Sequence, residues 1–218
     1  MTKTPMPSGP IAYRLHPWHG VAIGADAPRR VTAYIELVPT DTVKYELDKT
    51  SGYLKIDRPQ KFSNVCPTLY GLIPRTYCGS GHGALTCERT RRTGIVGDGD
   101  PLDICVLAEK AITHGDILVQ AIIVGGLRML DGDQADDKII AVLEGDALYG
   151  AWQDIEELPR ALVDRIQHYF LTYKRPPGTS ETRVEIAGVY GRDEAYEVVR
   201  CCMADYAEHF GHEPASGH

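Results

Sequence analysis

Short runs in which every second residue is apolar fill most of this chain, and helical spacing arrives only late. That order constrains the fold more than any other feature. In residues 31–38, Val31, Ala33, Ile35 and Leu37 share one face and Glu36 lies on the other. Turn residues 39–42 follow, and then residues 43–47, where Lys44 and Glu46 share the face opposite Val43, Tyr45 and Leu47. After the turn signal Thr50-Ser51-Gly52, residues 53–57 complete what reads as a β-meander. Further strands are expected at 102–107, 117–124, 138–142 and 184–189. Leu162, Ile166, Tyr169, Phe170 and Tyr173 recur at helical spacing, so a helix is expected over about 159–174, with Pro159 in its first turn. A last helix is expected from about Asp193, a good N-cap, turning Val198, Val199, Cys202 and Tyr206 inward. Many short strands ahead of two late helices indicate an α+β fold built on a small closed or nearly closed barrel.

Residues 1–30, rich in Pro, Gly and His, read as an extended arm preceding one domain over 31–218. Residues 78–97 interrupt the strand pattern and read as a polar, mobile loop inserted into that domain. The 218 residues are 43% hydrophobic and 24% charged, which suits a globular domain with a real core. A formal charge of −7 argues against a general nucleic-acid or anionic-membrane binder. It leaves room for an anionic substrate where a divalent cation reverses the local field. The apolar stretch 117–127 is interrupted by Gln120 and falls far short of the roughly 20 residues that span a bilayer. The N-terminal residues lack a signal peptide's apolar core, and Cys201 and Cys202 are adjacent. The six cysteines are therefore expected to be reduced and the compartment cytoplasmic.

The densest chemistry lies at Asp98-Gly99-Asp100-Pro101-Leu102-Asp103. Three carboxylates within six residues repel one another, and Gly99 and Pro101 shape the turn that carries them into a strand. A hard cation relieves that repulsion, and Mg²⁺ prefers oxygen ligands. Isolated acidic turns are usually only solvated. The spacing is not that of an EF-hand, and no glutamate stands where a calcium loop needs one. A second acidic run, Asp131 to Asp137, is closed by Lys138. Scattered along the chain are Lys44, Arg58, Lys138 and Lys174 with Tyr70 and Tyr173, donors suited to a phosphate-rich ligand.

Taken together these positions resemble the family I soluble inorganic pyrophosphatases. The signature D-[SGDN]-D-[PE]-[LIVMF]-D is met by Asp98 to Asp103, and its neighbours follow in order. These are Tyr34-Ile35-Glu36, Lys44-Tyr45-Glu46, Asp57-Arg58, Tyr70-Gly71, Asp131 with Asp136 and Lys138, and Tyr173-Lys174. The resemblance implies a five-stranded OB-like barrel with flanking helices and acids at its open end. It implies Mg²⁺-dependent hydrolysis of pyrophosphate, with two to four ions and Mn²⁺ or Zn²⁺ as substitutes. Asp98, Asp103 and Asp136 would hold the first metal and Asp103 also the second; Asp131 and Asp136 would hold one delivered with the substrate, and Glu36 a fourth. Asp100 would be the general base. Lys44, Arg58, Tyr70, Lys138, Tyr173 and Lys174 would hold the phosphates, with Glu46 pairing the cations. These acids outnumber the four cations by three charges, so pyrophosphate would be repelled until divalent ions enter. Water would attack in line, without a phosphoenzyme. The resemblance also implies a homo-oligomer, expected as a hexamer rather than a dimer.

Two other functions compete with this reading. An aspartyl-phosphate phosphatase would need Asp-x-Asp followed by Thr or Val after a first strand, whereas Pro101 follows here. A nucleic-acid-binding barrel would need exposed aromatics and a basic groove. The chain departs from the family pattern at Cys66, where a tyrosine is usual. It departs again in the longer span between Tyr70 and Asp98, where Cys78, His82 and Cys87 form no standard four-ligand zinc spacing. The eight histidines as a group show no metal-ligand spacing, and Cys105, Cys201 and Cys202 are expected in the core.

Overall fold

A computed structural model describes residues 14–174 and 183–211. Five strands close into a ring: β1 (Arg30–Leu37), β4 (Leu69–Leu72), β6 (Asp103–Leu107), β9 (Lys138–Leu143) and β7 (Ile117–Asp131), which returns to β1. Only the β6–β9 pairing within the ring is parallel. The architecture is thus the expected α+β, OB-like barrel, and closure removes exposed sheet edges.

Strand alternation divides the core in two. Val31, Ala33, Ile35, Ile104, Val106, Ile139 and Ala141 face inward, and their cluster extends to Val198, Val199 and Cys202 of α3 (Arg192–Phe210). The opposite faces of β6 and β9 offer Cys105, Leu107, Ile140 and Val142 to Val163, Ile166 and Phe170 of α2 (Arg160–Thr172). Leu37 belongs to this second cluster rather than with Val31, Ala33 and Ile35, because the β1–β4 register shifts between Ile35 and Leu37. Pro159 stands one residue ahead of α2, and α3 follows Gly191, with Asp193 in its first turn rather than at the cap. Cys105 and Cys202 are core residues as expected, whereas Cys201 is only half-buried.

Three expectations are corrected. The first three strands are no meander. β2 (Val43–Leu47) and β3 (Leu54–Pro59) form a separate hairpin, while β1 finds its partners in β4 and β7. Residues 31–37 of β1 are buried throughout and need neighbours on both edges, whereas Leu47 alone is fully buried in β2. β7 runs well past residue 124. It bends at a register shift near Gly125 so that its second half pairs with β10 (Val184–Gly191).

The third correction concerns 78–97, which is folded rather than loop. It contains α1 (Ser80–Thr90) and β5 (Val96–Gly97), which pairs in parallel with β8 (Gln134–Ala135). Two glycines in a helix cost about 1 kcal/mol each relative to alanine. Here Gly81 and Gly83 permit close packing: a Cβ on Gly83 would meet Gly97 N at 2.9 Å, and one on Gly81 would meet Asp205 Oδ1 at 2.5 Å. No local side chain caps α1. Asp205 of α3 does so instead, accepting from Gly79 N at 3.0 Å, Gly81 N at 3.0 Å and His82 N at 2.9 Å.

Residues 1–13 of the expected arm lie outside the described residues. Residues 14–30 pack on the barrel: Trp18 is buried against Tyr34 and Leu72, and its indole donates to Thr76 O at 2.7 Å. Asp205→Ala would leave three backbone donors without their acceptor. It should lower unfolding stability by about 2 kcal/mol, measured by denaturant titration. A loss below about 0.5 kcal/mol would show that α1 does not depend on this cap.

Candidate active site

All thirteen residues singled out from the sequence line one cavity of about 440 Å³. β6 and β9 bring Asp103 and Lys138 opposite each other as the first register pair of the parallel ladder. Asp103 shares a strand face with Cys105 and Leu107, and Lys138 with Ile140 and Val142. The acids therefore gather at the shared start of these strands, on the face bedded against α2. This refines the expectation of an open barrel end.

Lys138 is fully buried, and its ammonium bridges Asp103 and Asp136. Burial opposes its charge, but the two carboxylates outweigh that and hold its pKa well above the ordinary lysine value. Tyr70 Oη also donates to Asp103, which fixes the carboxylate from the neighbouring strand β4. Asp98 accepts from Asp100 N at 3.0 Å, so the turn folds back on its own first acid. Burial and the neighbouring Asp136 push the Asp98 carboxyl up to about 7. Burial raises Asp136 as well, with Asp103 adding repulsion against the relief from Lys138.

Glu36, on the face of β1 away from the barrel interior, is buried and accepts from Leu47 N at 2.7 Å. That bond ties the hairpin to the barrel. Burial pushes its carboxyl up to about 8. The hairpin register sets Lys44 opposite Arg58. Lys44 Nζ lies 3.0 Å from Glu46 and 2.9 Å from Asp57, so Glu46 pairs a cation as expected. Arg58 pairs with Asp57 at 2.5 Å and lies over the Tyr173 ring. At the end of α2, Lys174 Nζ reaches Asp131 at 2.7 Å across the cavity. The site thus draws on β1, the hairpin, β4, the 98–103 turn, the β7–β9 segment and the α2 terminus.

Two charged lining residues lay outside the assigned set. Asp57 was legible as the neighbour of Arg58. Lys49, whose ammonium pairs with Asp100, follows β2 in a turn where no pattern marks it. Cys66 does not line the cavity. It is buried beside Thr68 and within the α2-facing core, so its thiol makes no contact with the acids.

An all-oxygen acidic set whose members repel one another is suited to hard divalent cations. The phenols and cations set among these acids suit phosphoryl oxygens.

The family model described as inorganic pyrophosphatase matches residues 33–207. The chain is 52% identical over 214 residues to the inorganic pyrophosphatase of Chlamydia muridarum, covering 96% of this chain and all of that one. It is 34% identical to soluble inorganic pyrophosphatase 1 of Arabidopsis thaliana, over 90% of this chain and 82% of that one. Among solved structures, the inorganic pyrophosphatase of Thermus thermophilus superposes with a TM-score of 0.71 at 33% identity, over 85% of this chain and 96% of that one. With the match running through every strand of the acid-lined barrel, the chain belongs to the inorganic pyrophosphatase family, enzymes that use divalent metal to hydrolyse pyrophosphate.

Proposed function

We propose that the cavity hydrolyses pyrophosphate with Mg²⁺ as its working ion, by in-line attack of water and without a phosphoenzyme. The observation that carries this reading is the convergence of all thirteen residues on one cavity, where acids and phosphate-binding groups interleave. The donor set fits the ion. Asp98, Asp103 and Asp136 are oxygen ligands held close enough that Asp136 adds to the raised proton affinity of Asp98 and Asp103 to that of Asp136, and Lys138 already places one cationic group between two of them.

Asp98, Asp103 and Asp136 would hold a first ion, with Asp103 shared by a second. Asp131 and Asp136 would receive the ion that accompanies substrate. Glu36, whose bond to Leu47 N uses only Oε1, would complete a fourth site. When bound, the ions supply Lewis-acid polarisation and lower the pKa of water from 15.7 toward about 7. Asp100 takes the proton of the attacking water. It is half-exposed on the cavity wall, and the Lys49 ammonium pairs with its carboxylate. Lys44, Arg58, Tyr70, Lys138, Tyr173 and Lys174 bind the two phosphoryl groups and stabilise charge developing on the leaving phosphate. Glu46 and Asp57 hold Lys44 in place for that contact.

We place this enzyme in the cytoplasm, with its cysteines reduced, as one domain preceded by an N-terminal arm. No helix among the described residues is long and apolar enough to cross a membrane. The assembly is proposed as a homo-hexamer; sedimentation equilibrium should return six copies, and a dimer mass would refute that stoichiometry.

Phosphate release from pyrophosphate should be fast with Mg²⁺, absent with chelator and small with ATP in place of pyrophosphate. Asp103→Asn should cut turnover by about 100-fold or more and weaken Mg²⁺ binding while the circular dichroism spectrum stays unchanged. Near-normal turnover in that variant would remove Asp103 from the metal set.

The raised carboxyls set a further test. Glu36 near 8 and Asp98 near 7 stand above the ordinary carboxylate range of about 4. Between those limits the folded chain keeps protons that the unfolded chain has released. The metal-free protein should therefore lose stability as pH rises from about 5 to about 8.5. Mg²⁺ favours the ionised acids, so it should raise Tm more at the alkaline end. Thermal melts with and without chelator measure both effects, and a metal-free Tm that climbs over this interval would contradict the assignment.

A further inference from the structure

Away from the catalytic cavity, three potential ligands from distant parts of the chain meet in the core. Cys78 precedes α1, His82 lies one turn later, and Cys202 comes from α3. All three are fully buried, and their donor atoms lie within 4.8 Å of one another. The two sulfurs are 3.9 Å apart. Two zinc–sulfur bonds of about 2.3 Å at a tetrahedral angle span about 3.8 Å, so the sulfurs stand almost at the edge of that tetrahedron. A disulfide would need them at about 2.05 Å.

The surroundings favour a ligand over simple packing. Neither ring nitrogen of His82 has a hydrogen-bond partner among the described residues, a costly state for a fully buried imidazole. Its Nε2 faces Asp137 Oδ2 at 3.7 Å. Asp137 is itself engaged by Tyr190 Oη at 2.9 Å and by Arg128 at 3.5 Å, so it is placed to orient the ring rather than to bind an ion. A carboxylate behind a histidine is the usual second layer of a metal site. Cys78 also borders a surface cleft of about 720 Å³ with Gly79, Ala84, Val96 and Asp205, so the cluster lies next to solvent-accessible space.

We propose that Cys78, His82 and Cys202 form a buried zinc site that pins α1 to α3. Zinc displaces one proton from each thiol; the dication, two thiolates and neutral imidazole then sum to zero charge, which a buried position tolerates. A water from the cleft fills the fourth position. The site braces the catalytic turn without belonging to it. Cys78 N donates to Asp100 O at 2.8 Å, Gly99 N donates to Cys78 O at 3.0 Å, and Asp137 lies between Asp136 and Lys138. Sequence spacing hid the site, because Cys202 stands 124 residues beyond Cys78.

The test uses the reduced full-length chain, stripped with chelator and titrated with Co²⁺. One equivalent should produce a thiolate-to-cobalt charge-transfer band and the intense visible absorption of a tetrahedral ion, both erased by Zn²⁺ and unaffected by excess Mg²⁺. Asp103→Asn should keep the band and Cys202→Ser should lose it, which separates this site from the oxygen ligands of the catalytic cavity. Zinc should also shield two thiols of the unaltered chain from alkylation, a readout that does not depend on the variant folding. No thiolate band in the folded chain, an unchanged band in Cys202→Ser, or a Cys78–Cys202 disulfide in the isolated protein would each overturn the proposal.

Discussion

The ammonium of Lys138, buried between Asp103 and Asp136, is the contact around which the catalytic end of this protein is arranged. A lysine can be buried only where carboxylates compensate its charge, and carboxylates can be crowded only where cations relieve them. Parallel pairing of β6 with β9 meets both conditions, because it starts both strands at the same level and sets Asp103 against Lys138. The remaining imbalance is negative. Burial first and neighbouring carboxylates second raise the carboxyls of Asp98, Asp136 and Glu36, and the excess of acids over cations is an electrostatic reason for divalent metal here.

The barrel behind this contact supplies rigidity. Its interior is filled from alternate residues of the five closed strands, and the opposite faces of β6 and β9 are sealed by α2, the same helix that delivers Tyr173 and Lys174 to the cavity. Packing and catalysis thus share two strands, with apolar residues along their length and charged residues at their start. The hairpin is attached differently. The buried carboxylate of Glu36 and the packing of Leu47 against Tyr34 and Leu72 fasten it to the barrel, and the cations Lys44 and Arg58 ride on it. Two of the six phosphate-binding groups therefore sit on a smaller element than the barrel strands that carry Asp103 and Lys138.

Much of this was legible beforehand. The 98–103 acids, the Lys138 end of β9 and the Tyr173-Lys174 pair stand in recognisable spacing, and four of the five barrel strands were expected at least in part, β4 being the one that no run marked. What misled was residues whose role is set at a distance. Gly83 and Gly97 read as flexibility, yet they serve close backbone approach, and the cap of α1 comes from Asp205 near the end of the chain. The two helical glycines and the missing local cap made 78–97 look like loop because both helix signals are local, whereas the stabilising contacts are not.

Local chemistry in the sequence therefore determined which residues would act: acids clustered tightly enough to require cations, basic and phenolic groups suited to phosphate, and alternating apolar runs that could only be buried as sheet. Tertiary structure alone decided where they would meet. It set β1 against β4 and β7 rather than against the neighbouring hairpin, placed Lys49 beside Asp100, and brought Cys202 to Cys78 and His82. The reason is that pairing partners and ligand sets are chosen by burial and shape across the whole chain, and spacing along the sequence carries no record of which distant surfaces close on one another.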